Sequence, residues 1–169
     1  MRDITDKVAW ITGAGAGIGE GGAAALAEAG VKVVLSGRRQ DKLEEVTRRC
    51  GPNASIEVLD VSDKEAVFEV AERIVRDHGK IDILVASAGI NMKERNWHNV
   101  SLEDWDSVIR IDLDGAFYCC KAVLPSMKEV EKAVNSMLRP QVILDLLQNF
   151  TSYATHKGKD KRSPNCRKL

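Results

Sequence analysis

The chain of 169 residues carries 25 Lys and Arg against 25 Asp and Glu, with 44% hydrophobic and 30% charged residues. That length suits one domain with a real core, the composition is ordinary for a globular chain so disorder is not the default, and the charge balance points to neither nucleic acid nor an anionic membrane. No apolar run approaches the ~20 residues that cross a bilayer, and the charged start MRDITDKVAW is unlike a signal peptide.

Cys50, Cys119, Cys120 and Cys166 lack CxxC spacing, His78 and His98 have no ligand-spaced partners, and His156 reads as a surface residue. No metal site is assigned, and a reduced, cytoplasmic protein is expected.

Val8–Thr12 (VAWIT) is a short apolar run ending in a glycine-rich turn, the pattern of a buried parallel strand. Gly17 to Ala29 is rich in small residues and reads as a helix closed by Gly30. Lys32–Ser36 predicts a second strand, Asp41–Arg49 a second helix and Ser55–Leu59 a third strand. After Val61-Ser62-Asp63, apolar Val67, Val70, Ala71, Ile74 and Val75 recur at helical spacing between Lys64 and Asp77. Ile81–Ala86 predicts a fourth strand. A polar loop over Gly89–Val100 leads to Ser101, which with Glu103 and Asp104 marks a helix start. One long helix is expected from there through Trp105, Val108, Ile109, Leu113, Phe117 and Val123 toward Met127.

Strands alternating with helices predict a Rossmann-like, doubly wound α/β fold with a parallel sheet and right-handed crossovers. A dinucleotide-binding domain over residues 1–128 is expected, followed by a divergent segment over 129–169. There Ala133, Val134, Leu138, Val142, Ile143, Leu146, Leu147 and Phe150 look helical rather than strand-like, with Pro140 as a break. Residues 157–169 are basic, nearly devoid of apolar side chains, and read as a solvated tail.

The segment Thr12-Gly13-Ala14-Gly15-Ala16-Gly17-Ile18-Gly19 follows a strand and opens a helix. Backbone N–H groups and the positive end of the helix dipole suit such a turn to a pyrophosphate. Gly13 allows the tight turn, while Gly17 and Gly19 remove side chains that would block phosphates or helix–strand packing. The candidate contacts are Gly13, Gly15, Gly17, Ile18 and Gly19; a flexible turn without ligand is the plain alternative. A second GxGxxG, at Gly17, Gly19 and Gly22, lies too far from the strand end to turn the chain. The missing Gly-Lys-Ser/Thr ending excludes an NTPase loop.

The chain has TGAGAGIG at residues 12–19, Leu59-Asp60-Val61, and Ala86-Ser87-Ala88-Gly89 at the end of the fourth strand. It also has Trp105, Ile111-Asp112-Leu113, Gly115, Phe117 and Leu124-Pro125 along the long helix. In these features, from about Asp6 to Met127, it resembles the short-chain dehydrogenase/reductase family. The resemblance implies a nicotinamide cofactor, with Asp60 and Val61 at the adenine and Ser87, Ala88 and Gly89 where the family has Asn-Asn-Ala-Gly. It implies hydride transfer on a small-molecule alcohol or carbonyl substrate, and a homo-oligomer is compatible with it.

An acid at the end of the second strand would favour NAD, but that end reads Ser36-Gly37-Arg38-Arg39. A guanidinium clasps a 2′-phosphate through paired hydrogen bonds, so NADP is favoured over NAD, with Arg38 as chief contact and Ser36 and Arg39 as helpers. A solvated basic pair at a helix start is the competing reading.

Tyr153-Ala154-Thr155-His156-Lys157 matches the family's Tyr-x-x-x-Lys pair, which implies Tyr153 as acid/base and Lys157 as its partner. Chance occurrence in a lysine-rich stretch is the alternative. Asp112 stands where the family has a proton-relaying Asn, and Ser136 is the nearest candidate for the substrate-orienting serine. The family's strand ending in Ser-Ser and its long helix after the lysine have no counterpart. Family members run to roughly 250 residues, so the sheet is expected to be C-terminally incomplete. Three readings stay open: an NADP-dependent oxidoreductase, a non-catalytic dinucleotide-binding module, and a chain that needs a second copy or partner to cover its sheet edge.

Overall fold

The computed structural model describes residues 4–91 and 98–129. Four strands, β1 (Val8–Thr12), β2 (Lys32–Gly37), β3 (Ala54–Val58) and β4 (Ile83–Ala86), form one sheet in the order β3-β2-β1-β4. All three pairings are parallel. The helices are α1 (Gly17–Glu28), α2 (Gln40–Cys50), α3 (Lys64–His78), α4 (Leu102–Val108) and α5 (Gly115–Glu129).

Central β1 is buried at every position, as a strand covered on both faces must be. Ala9 and Ile11 of β1 join Val33 and Leu35 of β2 in a core with Ala23 of α1 and Leu43 and Val46 of α2. Alternation along a strand puts Trp10 and Val34 on the opposite face. Val67, Val70, Ala71 and Ile74 are the buried stripe of α3, which packs against α5 with its buried Cys119 and Val123. The expected Rossmann-like, doubly wound α/β arrangement is therefore present.

The boundaries have local causes. Asp63 Oδ1 accepts from the Ala66 N–H at 3.0 Å and starts α3, while Gly79 at φ +82° ends it in the left-handed conformation. Ser101 Oγ accepts from the Asp104 N–H at 3.0 Å and starts α4. β4 begins at Ile83 rather than Ile81, because Asp82 is held from the side: its carboxylate accepts from the Val8 N–H at 2.9 Å and faces Lys7 at 3.3 Å and Lys80 at 3.1 Å. β3 ends one residue earlier than expected, although the Leu59 N–H still donates to Gly37 O at 3.0 Å.

The long helix is not uniform. Between α4 and α5, residues Ile109–Asp114 form a π-helical segment, a widened turn that apolar spacing does not announce. The readings made for Ala133 to Phe150 and for the basic tail lie outside the described residues.

Candidate dinucleotide site

The chain runs from β1 outward through β2 to β3 and returns to place β4 on the other side of β1. The carboxyl ends of β1 and β4 therefore flank a topological switch point, where open α/β sheets form a crevice. The crevice here is lined by Gly13, Gly15 and Ala16, by Gly37, Arg38 and Arg39, by Leu59, Asp60 and Val61, and by Ser87, Ala88 and Gly89.

The glycine turn has three different requirements. Gly13 adopts φ +67°, and a Cβ on it would lie 2.6 Å from Ser87 O and 2.7 Å from Ala88 N. The turn and the end of β4 thus touch backbone to backbone, and the Ala88 N–H donates to Thr12 Oγ1 at 3.3 Å. A Cβ on Gly19 would collide with Gly13 O, so α1 packs against the turn only as glycine. Gly17 adopts φ +62°, but a Cβ there would meet nothing within 4 Å. No side chain caps α1 at Ala16, and Ile18 is 87% exposed. The start of α1 thus has no side-chain cap and carries the positive end of the helix dipole, a combination that fits an anionic diphosphate.

Arg38 Nη1 stands 3.9 Å from Asp60 Oδ2, with both side chains substantially exposed in the crevice. Asp60 is held by its other oxygen, which accepts from the Ser62 N–H at 3.0 Å and the Ser62 hydroxyl at 2.8 Å. No acidic residue occupies the exit of β2. Ser36 does not reach the crevice: it is fully buried, and its Oγ accepts from Trp10 Nε1 at 2.9 Å. Its expected direct contact with a cofactor is corrected on that ground.

Asp112 lies in the π-helical segment and packs against Gly89 and Ile90 of the crevice wall. Its Oδ1 accepts from the Ile90 N–H at 2.8 Å, and both carboxylate oxygens would sit 3.4 Å from a Cβ on Gly89. Burial pushes its carboxyl above the usual range, opposed by the Ile90 hydrogen bond. Gly115, just beyond, is tight against Val61, whose Cγ2 would lie 2.6 Å from a Cβ there. Ile111 joins the lining, as do Ile90 and Leu43; glycine and charge patterns missed all three, though Ile111 adjoins Asp112 in sequence.

Ser136, Tyr153 and Lys157 lie outside the described residues. Burial, helped by neighbouring Cys120, pushes the Cys119 thiol up to about 12, so it stays protonated and unreactive. Among the described residues no group of three His, Cys, Asp or Glu side chains could hold a metal ion, and no helix is long and apolar enough to cross a membrane.

The profile of the short chain dehydrogenase family matches residues 7–136. The chain belongs to this family. An uncharacterized oxidoreductase of Staphylococcus aureus is 41% identical over 131 residues, covering 76% of this short chain dehydrogenase sequence and 56% of that protein. The crystal structure of 3-ketoacyl-(acyl-carrier-protein) reductase from Brucella melitensis, complexed with NADH, superposes with a TM-score of 0.73 at 34% identity, over 77% of this chain and 54% of that one. The closed form of serine dehydrogenase complexed with NADP+ gives a TM-score of 0.68 at 36% identity, over 73% and 50%. The chain thus spans about half the length of the relatives it matches. Tyr153 and Lys157 fall beyond the matched residues, and Ser136 is the last of them.

Proposed function

We propose that the chain serves an NADP-dependent oxidoreductase of the short chain dehydrogenase type, moving hydride between NADP(H) and an alcohol or carbonyl substrate. The observation that carries this is the crevice itself: uncapped amides at the start of α1 beside a β2 exit that bears Arg38 and no acid. Relatives of the same fold bound to NADH and to NADP+ support the nicotinamide class.

The bound nicotinamide would supply the hydride donor or acceptor. The amides of Gly17, Ile18 and Gly19, with Gly13 and Gly15 keeping the turn low, hold the diphosphate through hydrogen bonds and the helix dipole. Arg38, only loosely paired with Asp60, would clasp the 2′-phosphate, with Arg39 alongside. Asp60 and Val61 would hold the adenine, and Ser87, Ala88 and Gly89 would contribute the remaining cofactor contacts from the end of β4. Tyr153 exchanges a proton with the substrate oxygen, the Lys157 ammonium stabilises its phenolate, and Ser136 orients the substrate. Asp112 holds the backbone at Ile90, beside Gly89 in the crevice wall.

Residues 1–128 form the cofactor-binding domain in this reading and 129–169 a separate C-terminal segment. Free thiols at Cys50, Cys119 and Cys120 accord with the reducing cytoplasm. Exposed Leu102, Leu113 and Phe117 on one helical stretch support association with a second copy.

A second reading, a dinucleotide-binding module without turnover, is favoured by one observation: the family match stops before Tyr153 and Lys157. Steady-state oxidation of NADPH with a panel of ketones and aldehydes separates the two. Turnover that disappears in Tyr153→Phe supports the enzyme; tight NADPH binding with no turnover on any carbonyl supports the module.

A further inference from the structure

Trp10 and Ser36 are each 0% exposed, and they meet behind the crevice wall rather than in it. Trp10 pairs in register with Val34, so its indole reaches two residues along β2 to donate to Ser36 Oγ at 2.9 Å. A buried indole N–H left without an acceptor is destabilising, so this bond has a strong directional hold on Ser36.

Ser36 is also where the walls of the crevice join. Its carbonyl accepts from the Ala14 N–H of the glycine turn at 3.0 Å. The next carbonyl, of Gly37, accepts from the Leu59 N–H at 3.0 Å, one residue before Asp60. Arg38 follows directly. The turn that faces the diphosphate, the arm with Arg38 and the arm with Asp60 therefore share one two-residue anchor, and the indole clamps that anchor from the other face of the sheet.

We propose that Trp10 and Ser36 are positioning residues whose hydrogen bond sets the exit of β2, and with it the stance of Arg38 toward a 2′-phosphate. They thereby determine the preference for a phosphorylated over an unphosphorylated dinucleotide without touching either. The proposal rests on the reading of Arg38 as the phosphate clasp. Apolar packing alone would hold the same volume without fixing the direction in which Ser36 faces.

That difference supplies the test. Removing both partners, in Trp10→Phe/Ser36→Ala, leaves no buried donor unpaired, so the folding cost is confined to the space left by the smaller ring. Calorimetric titration of the full chain with NADP+ and NAD+ is compared for the parent, this double variant, Trp10→Phe alone and Arg38→Ala. The double variant is expected to melt within a few degrees of the parent, yet its preference for NADP+ falls by about fivefold or more, through weaker NADP+ binding. Trp10→Phe alone shifts the preference in the same direction. In the ligand-free protein the Trp10 indole N–H resonance, identified by its loss in Trp10→Phe, moves in Ser36→Ala. An unchanged preference in both Trp10 variants, alongside one abolished in Arg38→Ala, overturns this proposal and leaves the clasp standing; so does an indole resonance that Ser36→Ala leaves unmoved. A parent without preference, or one that Arg38→Ala does not alter, overturns the clasp and this proposal together.

Discussion

Asp112 holds Ile90 across the crevice: its Oδ1 accepts the Ile90 backbone N–H at 2.8 Å, from a helix widened into a π-helical segment at that point. The widening has a consequence for charge. An amide at position 112 would accept the same N–H and also donate, whereas a carboxylate can only accept and must be desolvated to do so. Burial accordingly raises its pKa.

A raised carboxylate pKa means that the contribution of Asp112 to stability is fully present below the unfolded value of about 3.9 and is lost as pH rises through the folded value. Asp112→Asn keeps the acceptor and removes the titration. Thermal melts of the two proteins across pH are expected to diverge upward from about pH 4, with the variant gaining a few degrees by pH 8. A gap that closes as pH rises would contradict this assignment.

The two left-handed glycines of the turn respond differently to alanine. At Gly13 the new methyl meets Ser87 O and Ala88 N as well as an unfavourable φ, so Gly13→Ala is expected to cost about 3 kcal/mol and to collapse the turn. At Gly17 the space is open, so Gly17→Ala costs only the left-handed strain of about 1–2 kcal/mol. Its methyl group projects where the diphosphate would sit, and nicotinamide dinucleotide affinity falls about tenfold or more. Denaturant unfolding and ligand titration on both variants separate the effects; equal destabilisation by the two would contradict the geometry.

Asp82 lies at the opposite, amino-terminal end of the strands. Burial alone would raise its carboxyl, but the Val8 N–H and the Lys80 and Lys7 ammonium groups outweigh burial and hold it below the usual value. A depressed pKa stabilises the fold above the unfolded value of about 3.9, and that stabilisation fades as pH falls through the folded value. Asp82→Asn is expected to lose about 1–2 kcal/mol at neutral pH and to differ least from the parent in acid, with dinucleotide affinity unchanged. Urea unfolding at pH 7 and pH 3 reads the difference.

Much of the fold was legible because its signals are local. Five buried residues, four of them apolar, before a glycine turn, a 3.6-residue stripe from Val67 to Ile74 and the caps at Asp63 and Ser101 each specify an element without distant partners. The crevice was legible for a similar reason, since the turn, Arg38, Asp60 and Ser87–Gly89 all sit at strand ends, where a parallel sheet gathers its loops. What escaped depends on contacts between distant residues. The hydrogen bond between Trp10 and Ser36 joins two strands, and the π-helical segment brought Ile111 to the crevice; neither follows from periodicity within one segment.

The central claim is that bare amides at the start of α1 grip a diphosphate while Arg38 selects the phosphorylated ribose. Calorimetric titration of the parent and Arg38→Ala with NADP+ and NAD+ tests it most directly. The parent is expected to bind NADP+ about tenfold or more tightly than NAD+, and Arg38→Ala to remove this preference while changing NAD+ affinity by less than about twofold. Binding of neither nucleotide to the parent, or equal weakening of both in the variant, would contradict it.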